Sequence, residues 1–140
     1  MTLIREQLVA QIQAQDKHRL FQKVAAGTEL EEFLQHRTTL NACFILLLER
    51  SAQSESEYFQ TVTERYQVIS IASMLRNSGN LLDDMQAVIF KALSGFSPVI
   101  DGEKTNPVHF EQGKLIELEN GRGIWSDIYS LNYTVAINQQ

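Results

Sequence analysis

A chain of 140 residues, 44% of them apolar and 21% charged, is the size of one domain and can bury a core without disulfides or a structural metal, which excludes a disordered chain. The formal net charge is -5 and the cations are scattered from Arg5 to Arg122 rather than gathered in a stripe, which speaks against nucleic acid as a partner. The single cysteine, Cys43, lies in an apolar run and reads as a small buried hydrophobe; that run, Ala42 to Leu48, is too short to span a bilayer, and the N-terminus lacks a secretory pattern, so a cytosolic single domain over residues 1–140 is expected.

From Thr2 to Gln13, Ile4, Leu8, Val9 and Ile12 recur at helical spacing and predict a helix with one apolar stripe. Asp16 to Ala26 has only Leu20, Phe21 and Val24 as large apolar anchors, and either extends that helix or connects it onward. Gly27 breaks the pattern. Thr28 and Glu31 then form a capping-box signature ahead of Leu30, Phe33 and Leu34, which predicts a short second helix. Asn41 to Glu49 reads as a buried strand. Ser51 to Glu57 is Ser/Glu-rich without a large apolar residue, so an exposed loop or mobile hairpin tip, ordered on assembly, is expected there. Thr61 to Ala72 is rich in β-branched and aromatic residues and predicts a long strand.

Turn chemistry at Asn77-Ser78-Gly79-Asn80 places Asn80 as the cap of a helix whose face is Leu82, Met85, Val88, Ile89, Ala92 and Leu93, ending at Gly95. Ser97-Pro98 through Asn106-Pro107 reads as a loop. The last third predicts a hairpin: Phe110 and Leu115 to Leu118 on one strand, a turn at Asn120-Gly121, then alternating Trp125, Tyr129, Leu131, Tyr133, Val135 and Ile137 on a strand with one buried face, Trp125 included in the core. The order α, α, β, β, α, β, β predicts an α+β fold: a four-stranded, mostly antiparallel sheet with helices packed on one face.

Chemistry is hard to find along this chain. Gly95-Phe96-Ser97-Pro98 lacks the second glycine of a nucleophile elbow, and Gly113-Lys114 and Gly121-Arg122-Gly123 fall inside the hairpin with no helix to follow. His18, His36 and His109 keep no metal-ligand spacing with each other or with Cys43. Glu31-Glu32 and Asp83-Asp84 open helices, where acids complement the dipole. An RNA-reading sheet would need basic neighbours around its aromatics, but Glu64, Glu117 and Asp127 stand there. No catalytic residue, cofactor or metal is therefore expected, and the function is read as binding and assembly.

Four local patterns carry a family likeness. They are Val62-Thr63-Glu64-Arg65-Tyr66-Gln67-Val68; Leu81 to Ala92 with the exit Leu93-Ser94-Gly95-Phe96-Ser97-Pro98; Gly113-Lys114-Leu115-Ile116-Glu117-Leu118-Glu119-Asn120-Gly121; and Ile124-Trp125-Ser126-Asp127-Ile128-Tyr129. In this order the chain resembles the tail terminator proteins of long-tailed bacteriophages, especially the branch found in Mu-like phages. The first half agrees in its order of elements, with a weaker sequence signal, and Ser51 to Glu57 does not align.

The resemblance implies a homo-oligomeric ring, typically of six copies, that binds the last layer of the tail tube protein, stops its growth and offers a surface to a head-completion or connector protein. It implies assembly in the host cytoplasm, residence in the virion tail, and no cofactor or membrane. Ring closure turns attention to sheet edges, and the expected donors are the strand from Thr61 to Ala72, the loop before it, and the hairpin around Asn120-Gly121. The candidate subunit and tube contacts are thus Ser54, Glu55, Glu57, Tyr58, Thr61, Thr63, Arg65, Asn120 and Arg122. Two other readings stand beside it: another head-tail connector or tail-tube component, and a small ligand-binding α+β domain, which would need a concave pocket with converging polar groups.

Overall fold

The computed structural model describes residues 3–35, 41–73, 78–119 and 122–137, so the expectations placed on His36, Asn77 and Asn120-Gly121 lie outside the described residues. Helix α1 (Ile4–Gln15) is followed by strand β1 (Lys23–Ala26), a 3-10 turn (Gly27–Glu29), α2 (Leu30–Gln35), β2 (Ala42–Ser54), β3 (Phe59–Ser73), α3 (Ser78–Leu93), the short strands β4 (Val99–Ile100) and β5 (Glu103–Lys104), and the long strands β6 (His109–Glu119) and β7 (Arg122–Ala136).

The architecture is α+β, built on a five-stranded sheet of order β1-β2-β3-β7-β6 in which only the β1–β2 pair is parallel. The expected four strands are β2, β3, β7 and β6. The fifth, β1, adds at the edge because α2 carries the chain across from β1 to β2, a crossover that makes the two strands parallel.

Alternation along β2 and β3 separates two cores. Cys43, Ile45, Tyr66 and Val68 face α1 and α3, where Ile4, Leu8, Ile12, Leu82, Met85, Ile89 and Leu93 close the layer. Leu8, Ile12, Met85 and Ile89 are fully buried, each contributing about 1.5–3 kcal/mol by area. Phe44 and Ile71 point the other way, where Phe33 of α2 meets the Phe44 ring at 5.1 Å. The helices therefore do not all share one face: α1 and α3 cover one, and α2 covers part of the other. Contacts place α1 over β1 and β2, and α3 over β3 and β7. The helix layer stops short of β6.

Helix ends follow local chemistry. Glu6 accepts the Leu3 N–H (3.4 Å), half of a capping box at α1. After α1, the Asp16 carboxylate accepts the N–H groups of Leu20 and Phe21 (2.8 Å each) and fixes the turn into β1. Thr28 lies inside the 3-10 turn that leads into α2, a turn that begins at Gly27 with Ala26 in the cap position and no side-chain cap hydrogen bond. Helix α3 begins at Ser78, before the expected cap at Asn80, and ends as expected, with Gly95 at φ 84°.

Three further expectations are corrected. The Pro98–Asn106 loop contains the β4–β5 hairpin, turned by Asp101 (φ 51°) and Gly102 (φ 81°), an Asp-Gly pair suited to a tight hairpin turn. Ser51 to Ser54 are not loop but the end of β2, paired with Gln60 to Thr63. Trp125 is half-buried rather than enclosed, packing against the core whose fully buried members on β7 are Tyr129 and Leu131. Cys43 is fully buried, and burial, then the nearby Asp127 charge, raises its thiol well above the ordinary value.

Candidate functional site

The first candidate surface is an arm. Burial along β2 ends at Leu46, and every residue from Leu47 to Ser54 is exposed. There β2, β3 and β7 run on together: Ser51 pairs with Thr63, which pairs with Asn132, and Ser54 pairs with Gln60, which pairs with Val135. The tip, residues 55–58, is held by its own hydrogen bonds, with Ser56 Oγ accepting the N–H groups of Tyr58 (3.1 Å) and Phe59 (3.2 Å) and Ile137 N–H donating to the Tyr58 carbonyl (2.7 Å). Tyr58 is 59% exposed and Phe59 48%.

The sequence candidates fall into three places. Ser54, Glu55, Glu57 and Tyr58 gather at the tip. Thr61, Thr63 and Arg65 alternate along β3 on the face turned away from α1 and α3, where Arg65 pairs with Glu49 (3.3 Å) and Glu111 (3.1 Å) in a charge ladder across the sheet. Arg122 stands at the opposite end, 3.5 Å from Glu117 and separated from the tip by the 15-residue β3, roughly 45 Å at the usual rise per residue. Asn120 lies outside the described residues. Strand β3 is central, bonded to β2 on one side and β7 on the other, so the sequence-level expectation that it offers a free edge is overturned. Among the described residues, the strands of the five-stranded sheet with an open side are β1, the outer half of β2, and β6.

Two acids that the sequence placed only as neighbours of strand aromatics are buried. Glu64 is 2% exposed on β3 and accepts hydrogen bonds from Arg50 Nε (2.9 Å), Tyr133 Oη (2.6 Å) and the Tyr66 hydroxyl. Burial pushes its carboxyl up, but the bonds from Tyr133, Tyr66 and Arg50 outweigh that and hold it below the ordinary glutamate value. Tyr133 in turn is pushed up to about 12, first by burial and then by Glu64. The group borders a hollow of about 230 Å³ at the base of the arm, lined also by Leu3, Ile4, Arg5, Leu47 and Ile100. A carboxylate that accepts from a guanidinium and two phenols ties β2, β3 and β7 together at the base of the arm.

Asp127 is 3% exposed on β7, and its Oδ1 accepts Trp125 Nε1 at 2.8 Å. Burial raises its carboxyl to about 6, offset only partly by the Trp125 bond. Gly113, its partner on β6, makes room for this pair: a Cβ there would lie 2.4 Å from Asp127 Oδ1 and 2.9 Å from Trp125 Nε1. Asp127 also borders a hollow of about 260 Å³ with Gln86, Ala87, Phe90, Phe110 and Tyr129. The legible signal for both acids was position, since each occupies an apolar-facing slot in an alternating strand, between Val62 and Tyr66 and between Trp125 and Tyr129. Among the described residues no group of three or more His, Cys, Asp or Glu side chains could hold a metal ion.

The third surface is β6 itself. With no helix above it, Phe110, Leu115, Ile116 and Leu118 are each about half exposed, and Phe90 of α3, 52% exposed, meets Phe110 edge-on at 6.0 Å. This is an apolar shelf along a terminal strand.

A family model described as "Phage tail terminator protein" matches residues 1–139. Among solved structures, a chain of the "Virion of native gene transfer agent (GTA) particle" shares the fold, with a TM-score of 0.65 at 11% identity over 91% of this chain and 92% of that chain. No curated protein matches the sequence.

Proposed function

Because the chain belongs to the phage tail terminator protein family, we propose that it acts as one domain over residues 1–140, a subunit of a six-membered ring that seats on the last layer of the tail tube, halts its growth and presents a surface for head joining. The family match over nearly the whole chain carries this reading. The arm gives it a geometry: β2, exposed from Leu47 onward, runs out with its partners β3 and β7 to a tip carrying the exposed Tyr58 and Phe59, a protrusion suited to engage the tube end. Aromatic residues presented this way supply contact area at small entropic cost. The role is structural rather than catalytic, with assembly in the host cytoplasm and a final place in the virion tail. The fold likeness to a chain of a gene transfer agent virion supports the same setting.

The test mixes purified protein with tubes polymerised from the cognate tube protein. Ring mass is read by light scattering and tube length by electron microscopy. Rings at tube ends and arrested growth are expected. A protein that neither forms rings nor binds tube ends overturns the reading, and binding to the head connector alone would instead favour a connector role.

A further inference from the structure

The two sides of the sheet are made differently. On one, the terminal strand β1 is four residues long and lies under α1, whose Gln13 Nε2 donates to the Val24 carbonyl (3.4 Å). The turn before β1, pinned by Asp16, presents Lys17 and Arg19, both exposed and without an ion-pair partner among the described residues. On the other side, β6 carries the apolar shelf, walled by α3. Asp83 stands four residues before Ala87 and seven before Phe90, so it lies on the side of α3 that overlooks β6. It is exposed and has no ion-pair partner among the described residues.

Strand registers relate the two sides. Ala42 aligns with Ile71, Ile124 and Glu117, and Ile45 with Val68, Asp127 and Gly113. Since Lys23 pairs with Ala42 and Ala26 with Ile45, β1 stands at the height of Gly113 to Glu117. That height includes the regular stretch of β6 from Gln112 to Leu115, between register shifts at Phe110/Gln112 and Leu115/Glu117. The directions also agree: β1 runs with β2 and β7, and β6 runs against them. A rotation about an axis roughly along the strands keeps every direction, so it brings β6 of one copy antiparallel to β1 of the next.

We propose that the uncovered β6 edge is the socket for the β1 edge of a second copy, the two strands pairing antiparallel while Lys17, Arg19 and Lys23 of one copy face Asp83 and Glu117 of the next. The charges are complementary in part: Lys17 and Arg19 precede the Lys23 end of β1, and Asp83 and Glu117 stand toward the end of β6 that matches Lys23, where Lys114 and Arg122 are the cations beside them. Lys23 and Glu117 already have partners within the chain, Glu29 (3.0 Å) and Arg122 (3.5 Å), so they exchange or share them, and the unpaired Lys17, Arg19 and Asp83 gain most. The missing helix over β6 is supplied by the α1 of the neighbour, which arrives with its β1. This interface rests on the ring reading above and names the surfaces that close the ring.

The experiment reverses charge on each side separately and then together. Lys17→Glu with Arg19→Glu makes one variant, Asp83→Lys with Glu117→Lys the other, and a third carries all four changes. Each single-side variant, folded by circular dichroism, is expected to need roughly tenfold or more protein to form rings at tube ends. The four-fold variant recovers assembly, and an equimolar mixture of the two single-side variants assembles where neither does alone. A cysteine pair, Ala25→Cys with Lys114→Cys, is expected to cross-link between copies and not within one. If wild-type rings form but the reversals leave assembly unchanged and the pair does not cross-link, the β1–β6 seam is overturned while the ring stands. If wild type forms no ring, both fall.

Discussion

Asp127 and Glu64 pull the stability of the protein in opposite directions with pH. Burial lifts the Asp127 carboxyl from 3.8 to about 6, so the folded state binds its proton more tightly than the unfolded chain does. Its contribution to stability is therefore greatest below pH 4, declines as pH rises through 6, and above that leaves the full cost of a buried charge, about 2–3 kcal/mol. Asp127→Asn is expected to raise stability by about that amount at pH 8 and to match the parent at pH 4, in denaturant melts at both values. Equal midpoints of parent and variant at pH 8 would remove the assignment. Glu64 has the opposite sign: its carboxyl is held low by Tyr133, Tyr66 and Arg50, so its contribution is present above the ordinary glutamate range and lost as pH falls through its folded value. Glu64→Ala leaves the Tyr66 hydroxyl without its acceptor and should cost about 2–4 kcal/mol, whereas Glu64→Gln keeps an acceptor and should cost clearly less. Urea titrations with an unchanged slope read both values, and equal losses would show that charge rather than the hydrogen bond matters.

Among the elements, the arm is where the proposed tube contact can be tested apart from stability. Replacing residues 55–58 by Asn-Gly shortens the tip and removes Tyr58, whose side chain is mostly in solvent. Unfolding free energy is expected to stay within about 1 kcal/mol of the parent while tubes lose their length limit. Unchanged capping would move the tube contact elsewhere. Sequence patterns exposed α1, α3, β3 and β7 because each carries a full apolar stripe, from Leu8 and Ile12 to Tyr129 and Leu131. They missed β1, whose Lys-Val-Ala-Ala has no pattern of its own and is a strand because it lies against β2. They ended β2 too early because Ser51 to Ser54 are held by backbone bonds to β3, which leave no hydrophobic mark. Asp101-Gly102 was a legible turn signal inside a segment read as loop. Of the candidate contacts, those at the tip were nominated by composition, but which strand lies at an edge depends on sheet order. That order is set by pairings such as Thr63 with Asn132, far apart in sequence, so Thr63→Pro would break the middle of the sheet rather than an edge.

Across the whole molecule, the two sheet edges differ in length, eleven residues in β6 against four in β1. The shorter one sets the limit on any seam between copies. A handful of backbone bonds at about 1 kcal/mol each is comparable with, or smaller than, the roughly 4–15 kcal/mol that two free bodies lose in translation and rotation on joining. A seam of that strength does not chain subunits together in dilute solution, and so the long apolar edge is kept from seeding open fibres. The balance shifts once several copies are already held side by side, because the later seams then form at high effective concentration. If the proposed β1–β6 seam closes a ring, the brevity of β1 would make that closure conditional: a tube end would gather the copies first, acting as a template, and the ring would close only where a finished tail calls for it.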